Sequence, residues 1–487
     1  MSADRRFVLF LALYCAALLV FTAFALGPRP LHHDMTEAWA WGKEFQLGYA
    51  KHPPMSAWLT GLWFTVLPRT DLSFYLLSTL NLAAALTGVW ALAGLFLEPR
   101  GRLAAVLLLA LTPSFNVWAM KFNANAPLLS TWPWTTYFFL RSLETRRADF
   151  ATLAGLVGAM ALLTKYYSVV LFGTLLLVAV LYPTRRQYFR CMAPYITLAI
   201  GLLLTLPHIW WMVASGFPTI DYALSKARFD PVEARATTIM TVLVSLCLLG
   251  IPASVSIIAF GTRSRALLTR ATTAGFDRRN AWLLCLAYGP FAFTVSAYFI
   301  ANFRITNAFL MPAFFALPMV FLVLSRAPVT NRVVGRIALS AVLVWLPLVL
   351  GSPLFGYYAL AHAPGMEVES RKDIAEAATE YWHTTFRRPL KIVAGEERLA
   401  TAATFYSQDA PSYFMLRWPE RTPWVSAEHI EKEGLLVICR ADNEDCIARG
   451  EAAAGQDASR LDYQAATHFL GAAARPQSFV FVLRAPR

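Results

Sequence analysis

Uncharged apolar stretches long enough to cross a bilayer, about 17–25 residues each, recur through the first three-quarters of this 487-residue chain. They fall at roughly 7–26, 72–97, 103–120, 122–140, 150–164, 166–183, 191–213, 237–261, 281–301, 305–325 and 337–357, eleven in all. Composition agrees: 57% of residues are apolar and only 15% charged, against about a quarter charged in a soluble domain. A single water-soluble core and a disordered chain are both excluded. The expectation is a polytopic α-helical membrane protein with about 11 transmembrane helices. The fifth stretch is short, and Lys165 directly after it is placed to snorkel to the interface. Ala23-Phe24-Ala25 looks like a signal-peptide cleavage site. The first stretch, with 20 uncharged residues, nevertheless exceeds the about 7–15 of such a core and reads as a retained anchor.

The formal net charge is +13, from 43 Lys plus Arg against 30 Asp plus Glu. A basic chain suggests nucleic acid only where the cations cluster on one soluble face. Here they follow the spans. With the N-terminus inside, the cytoplasmic segments carry 18 basic residues against five acids. The opposite loops before residue 362 carry ten against seven, and the remainder of the chain 15 against 18. Cytoplasmic loops rich in Lys and Arg orient a membrane protein. The expected placement is a bacterial inner membrane, with a cytoplasmic N-terminus, a periplasmic C-terminal domain, the bilayer as partner and no nucleic acid.

The domain reading is a transmembrane part over 1–361, with a first periplasmic loop at 27–71, and a periplasmic α/β domain over 362–487. In that tail, strand-like runs (Leu390–Val393, Leu435–Cys439, Phe479–Leu483) alternate with helix-like ones (Ile374–Trp382, Leu399–Tyr406, Glu428–Glu433), as in a small α/β domain. Cys439 and Cys446 are the two cysteines expected outside, and an oxidising compartment favours a disulfide between them over free thiols.

The first loop is far longer than a turn requires. Met55, Trp58, Leu59, Leu62, Trp63, Val66 and Leu67 follow helical spacing, and Thr36–Leu47 places Ala38, Trp41 and Phe45 on one side. Both segments read as interfacial helices with tryptophan on the apolar face. Asp34 and Glu37 begin the first of them. One reading is a capping box, with Asp34 at the N-cap and Glu37 at N3. The other makes Asp34 a general base that deprotonates an acceptor hydroxyl or amine. Lys51 and His52 precede Pro53-Pro54, which set a stiff start to the second helix. Other polar groups gather at the same ends of the spans: Lys121, Asn123 and Asn125, then Lys165 and Tyr166, then Arg304. Each cation alone reads as an interfacial anchor. Ionisable groups near hydrocarbon are costly, and together these would be compensated by an anionic lipid phosphate.

Asp34-x-x-Glu37-Ala38-x-x-Trp41-Gly42, followed by Gly48-Tyr49-x-Lys51-His52-Pro53-Pro54 and a Trp-rich helix, resembles the bacterial glycosyltransferase family 39 group of the GT-C superfamily. That superfamily includes protein O-mannosyltransferases, the aminoarabinose transferase of lipid A and rhizobial lipopolysaccharide galacturonosyltransferases. Leu163-Thr164-Lys165-Tyr166 is similar to the family's Lys-Tyr motif. The resemblance covers the membrane part. It implies a GT-C-like fold and an inverting transferase that moves a sugar from a polyprenyl-phosphate donor to a lipid or glycan acceptor. Asp34 matches the position of the family's base. Met35 stands where relatives often have a second acid, so Glu37 is the substitute candidate. Lys165 would contact the donor phosphate, with Lys51, His52, Lys121, Asn123, Asn125, Tyr166 and Arg304 as further substrate-binding candidates. His32-His33-Asp34 is a short cluster, and two adjacent imidazoles on a helix usually do not face one ion, so no cofactor or metal is expected. The competing readings are a transporter or lipid flippase, which would show paired repeats and midplane polar residues, and a non-catalytic assembly protein.

Overall fold

Proline positions break several of the apolar runs. The computed structural model describes residues 2–27, 29–227, 231–275, 277–301, 306–362, 370–473 and 475–487. Among these, six helices are long and apolar enough to cross a membrane: Ala3–Ala25, Asp71–Ala93, Ala193–Ala214, Arg235–Gly275, Arg278–Ile300 and Asn331–Leu360. The run expected at 103–120 is Pro99–Ala110 and Pro113–Met120 bent by 100°, a seventh span if taken as one. Pro113 removes a backbone donor where the helix would have continued. The expected 305–325 span contains Asn307–Leu310 and Leu317–Ser325, with Pro312 in the break. Ala148–Thr164 and Tyr166–Leu181 are shorter apolar helices, and Ala126–Thr145 has 20 residues. The architecture is the expected many-helix membrane plan. Among the described residues some of the expected runs are broken into shorter helices, because mean hydropathy does not register a missing backbone donor.

The chain divides into two compact units: 1–18, 51–55 and 78–347 in one, and 19–50, 56–77 and 348–487 in the other. In the first, helices turn apolar side chains outward and polar ones inward. Ala193–Ala214 exposes Leu198, Leu202, Leu203, Leu206 and Trp210 but buries Thr205 and His208. That inversion suits a helix surrounded by lipid, whose polar groups find partners only in the protein.

Among the described residues, the second unit has seven strands: β1 Ile392–Gly395, β2 Ser412–Phe414, β3 Leu435–Arg440, β4 Ser459–Ala465, β5 His468–Phe469, β6 Ala472–Ala473 and β7 Gln477–Arg484. Five form one sheet in the order β2-β1-β3-β7-β4, and β5-β6 pair separately. β1 runs parallel to β2 and β3, whereas β7 is antiparallel to β3 and β4. Alternate residues point to opposite faces. Val393, Leu436, Ile438 and Phe481 therefore pack with Trp382 and Leu399, while Ile392, Val437 and Val480 pack with Ile430 and Ile447. Helices Arg371–Phe386 and Glu397–Tyr406 cover one face, and Ala427–Glu433 and Glu444–Ala454 the other. This is the small α/β domain expected of the tail. Cys439 and Cys446 are joined by a disulfide, with Cα atoms 5.9 Å apart.

The first-loop helices belong to the same unit. Helix His33–Gly42 is buried from Met35 to Gly42, and Ala40 sits in the core beside Val393 and Trp382. It stops at Gly42, and Phe45 takes a positive φ of 46°. The expected interfacial helix over Thr36–Leu47 is thus replaced by a shorter one with no free apolar face. Helix Met55–Val66 packs through its small residues Ser56, Ala57, Thr60 and Gly61. A Cβ at Gly42 would collide with the Ala57 carbonyl oxygen, and one at Gly61 with that of Gly42. This close crossing leaves Leu62 and Val66 58% and 82% exposed, an apolar face suited to a membrane surface.

Candidate active site

Helix His33–Gly42 is capped by His32, not Asp34. His32 has non-helical φ and ψ of −56° and 140°, and its Nδ1 accepts the Asp34 backbone N–H at 3.1 Å. The capping box expected from Asp34 and Glu37 therefore does not form, since Asp34 is not the cap. Its Oδ1 lies 2.9 Å from His33 Nε2 and 3.6 Å from His32 Nδ1. Because His32 stands outside the helical turn, the two imidazoles converge, with ring centroids 4.2 Å apart and planes 31° apart. The ligand atoms of His32, His33 and Asp34 all lie within 4.8 Å of one another, a grouping that can hold a metal ion. This corrects the expectation that adjacent imidazoles would diverge. Glu37 is buried and faces Tyr413 instead. Burial raises the Tyr413 hydroxyl well above its ordinary value, and Glu397 and Glu37 reinforce the shift.

The helix bearing Asp34 is held by the C-terminal domain. Leu31 N–H donates to Tyr406 Oη at 2.7 Å, and Trp39 Nε1–H to the Thr404 carbonyl at 3.1 Å. Thr36 and Thr401 hydroxyls meet at 3.3 Å. At its end, Lys43 donates to the Ala410 carbonyl, and Ser412 donates to Glu44 at 2.8 Å. Burial pulls the Lys43 ammonium below its usual value, and Glu44 opposes that shift. Asp34 is thereby positioned on a rigid scaffold.

In the other unit, the turn after helix Ala148–Thr164 sends four consecutive side chains to separate anchors. Lys165 Nζ donates to Asn125 Oδ1 at 2.7 Å and lies 4.2 Å from the Phe309 ring centroid. Tyr166 Oη is 2.6 Å from His208 Nε2 and 2.9 Å from Thr219 Oγ1. Tyr167 Oη meets Thr294 Oγ1 at 2.6 Å, and Ser168 accepts from Trp132 Nε1–H at 3.3 Å. Asn123 Oδ1 accepts from the Asn125 backbone and side chain at 2.9 and 3.3 Å. Asn125 opens helix Ala126–Thr145 without capping it through its side chain, because that side chain serves Lys165. Lys165, Asn125 and Asn123 are thus one chain of contacts. Lys121 follows the Val117–Met120 turn, and Lys51 and His52 are half-buried, with His52 edge-on to Tyr222 at 5.8 Å. Arg304 lies outside the described residues. Sequence reasoning missed His208, Thr219 and Thr294. His208 had a signal: an ionisable side chain inside an apolar span is a functional candidate by default.

Residues 51–211 match the family described as dolichyl-phosphate-mannose-protein mannosyltransferase. ArnT from Cupriavidus metallidurans bound to undecaprenyl phosphate is similar at a TM-score of 0.65 and 14% identity, over 98% of this chain and 97% of that one. The chain has the fold of that ArnT. The apo state of the same ArnT matches at a TM-score of 0.64 and 14% identity, over 99% of this chain and 98% of that one. No curated protein matches the sequence. The stretch matched by the family contains Lys51, His52, Lys121, Asn123, Asn125, Lys165, Tyr166 and His208, and begins after Asp34.

Proposed function

We propose that this protein is an inverting glycosyltransferase of a bacterial inner membrane. It moves a sugar from a polyprenyl-phosphate donor to an envelope acceptor (lipid A or lipopolysaccharide, a glycolipid or a protein) on the periplasmic face. The observation that carries this reading is the Asp34 carboxylate, relieved of capping by His32 and set 2.9 Å from His33 Nε2. A similarity to an ArnT that binds undecaprenyl phosphate supports the donor class. In the reaction, Asp34 takes the proton of the acceptor hydroxyl or amine. The freed electron pair forms the bond to the anomeric carbon, and the carbon–oxygen bond to phosphate breaks on the opposite face. The phosphate leaves with that pair, and the Lys165 ammonium stabilises its charge.

Mass spectrometry of envelope lipids and glycans from a deletion strain tests this. The expected result is loss of one sugar at one attachment site, restored by the wild-type chain. An unchanged envelope sugar inventory overturns the reading. The convergence of His32, His33 and Asp34 favours a second version, in which these residues hold a divalent ion beside the acceptor. With Asp34 acting directly as base, transfer by the purified protein is insensitive to EDTA. Loss on chelation with recovery on adding zinc assigns the group to a metal.

A further inference from the structure

Three arginines from distant stretches of the membrane unit meet at one cavity. It measures about 790 Å³, within the roughly 300–1,000 Å³ typical of ligand pockets. Arg6, Arg100 and Arg326 line it, against one acid, Glu98. They come from the start of helix Ala3–Ala25, the start of Pro99–Ala110 and the residue that follows Leu317–Ser325. Orientation in a membrane asks only that cations lie in the loops of one side. It does not require that three separate segments deliver theirs to the same place.

Among the described residues, none of the three forms an ion pair with an acid. Arg6 Nη1 donates to Asn331 Oδ1 at 3.2 Å, a neutral partner. Asp4 does not line the cavity, and its charge acts on Arg102. Glu98 stands at the N-cap of Pro99–Ala110, but its side chain makes no capping hydrogen bond. The backbone N–H groups of Arg100 and Gly101, both on the cavity wall, have no acceptor within the helix. Such a helix start adds to the attraction for an anion. Phe96, Leu97, Val323 and Val329, all half-buried, form apolar wall beside these groups. An excess of cations next to apolar wall is complementary to an anionic amphiphile.

We propose that this cavity binds the head group of one anionic glycerophospholipid. The phosphate pairs with Arg6, Arg100 and Arg326, whose planar guanidinium groups match its oxygens, and an acyl chain lies along the apolar wall. The guanidinium groups and the helix start offer more donors than one phosphate fills. Glycerol and ester oxygens beside the phosphate take the rest. A polyprenyl phosphate carries its phosphate directly on hydrocarbon, which is why a glycerophospholipid is favoured. The site is distinct from the Lys165 turn. Ser78 Oγ donates to the Met120 carbonyl, next to Lys121, at 3.0 Å. From Ser78 to Ala93 its helix rises about 22 Å, and only beyond that end does the chain reach the cavity at Phe96.

Native mass spectrometry of the delipidated full-length protein tests this, with phosphatidylglycerol, phosphatidylcholine, undecaprenyl phosphate and inorganic phosphate as probes. Phosphatidylglycerol is expected to be retained in preference to phosphatidylcholine, and to stay bound in excess inorganic phosphate or undecaprenyl phosphate. Arg6→Gln, Arg100→Gln and Arg326→Gln each lower that preference about fivefold, the weight of one cation near an anionic head group. If one of these variants fails to reach the membrane, the other two read the same effect. Arg5→Gln and Arg332→Gln are the controls. Both arginines are exposed and neither lines the cavity, so removing the same charge there leaves the preference unchanged. Equal retention of the two phospholipids, an unchanged preference in the cavity variants, or an equal loss in the controls would overturn the proposal. So would displacement of phosphatidylglycerol by inorganic phosphate, which marks a site for a free anion, or by undecaprenyl phosphate.

Discussion

Asp34→Asn is expected to abolish sugar transfer while leaving the protein folded and able to bind donor. Asparagine is the same size, still accepts from His33 Nε2–H, and leaves the helix cap untouched because His32 provides it. What it removes is the proton acceptor. General-base catalysis contributes about 10²–10⁴-fold, so turnover should fall by that range with donor affinity nearly unchanged. Initial transfer rates, normalised to protein in the membrane, measure it. Near-normal turnover would show that Asp34 is not the base. A drop in folded protein in the membrane would point to a structural role that the His32 cap argues against.

Lys165→Ala should weaken donor binding and slow transfer together. The ammonium reaches Asn125 at 2.7 Å with Phe309 beneath it, so it is held in one place before any phosphate arrives. Hydrogen bonds involving a charged group contribute about 1.5–3 kcal/mol, which corresponds to roughly 10–150-fold in affinity. Charge that grows on the departing phosphate adds a further loss in turnover. Titration of the variant with a polyprenyl phosphate reads the first effect and single-turnover rates read the second. Unchanged affinity would remove Lys165 from the donor site. The companion change Asn125→Ala, which frees Lys165 without deleting its charge, should cost less than Lys165→Ala in both measurements.

The sequence pattern carried the many-helix plan and the tail's central strands because both rest on local periodicity. Leu435–Cys439 and Phe479–Leu483 are continuous apolar runs buried throughout, a signal readable from a single segment. Ser459–Ala465, an edge strand with Arg460 and Asp462 on its open side, gave no such signal. The Asp34-x-x-Glu37 spacing pointed to a capping box, and the motif gave no reason to prefer His32 as the cap. Glu37 illustrates the same limit: its burial beside Tyr413 depends on residues more than 370 positions away. Lys165-Tyr166 was legible as a motif, but its anchors Asn125, His208 and Phe309 come from three distant stretches that only the fold assembles.

The dependence of the Asp34 helix on Tyr406, Thr401 and Thr404 has a consequence for biosynthesis. Those contacts span 365–375 residues of chain. At about 5–20 residues per second of synthesis, roughly 20–70 s separate the emergence of Asp34 from that of its supports. Strand Gln477–Arg484, which lies between β3 and β4, appears later still. A nascent or prematurely ended chain therefore carries an unsupported Asp34 helix, and a ribosome that stalls before residue 477 releases a chain with its membrane helices but without the strand that joins β3 to β4. The setting of Asp34 is among the last things this chain acquires.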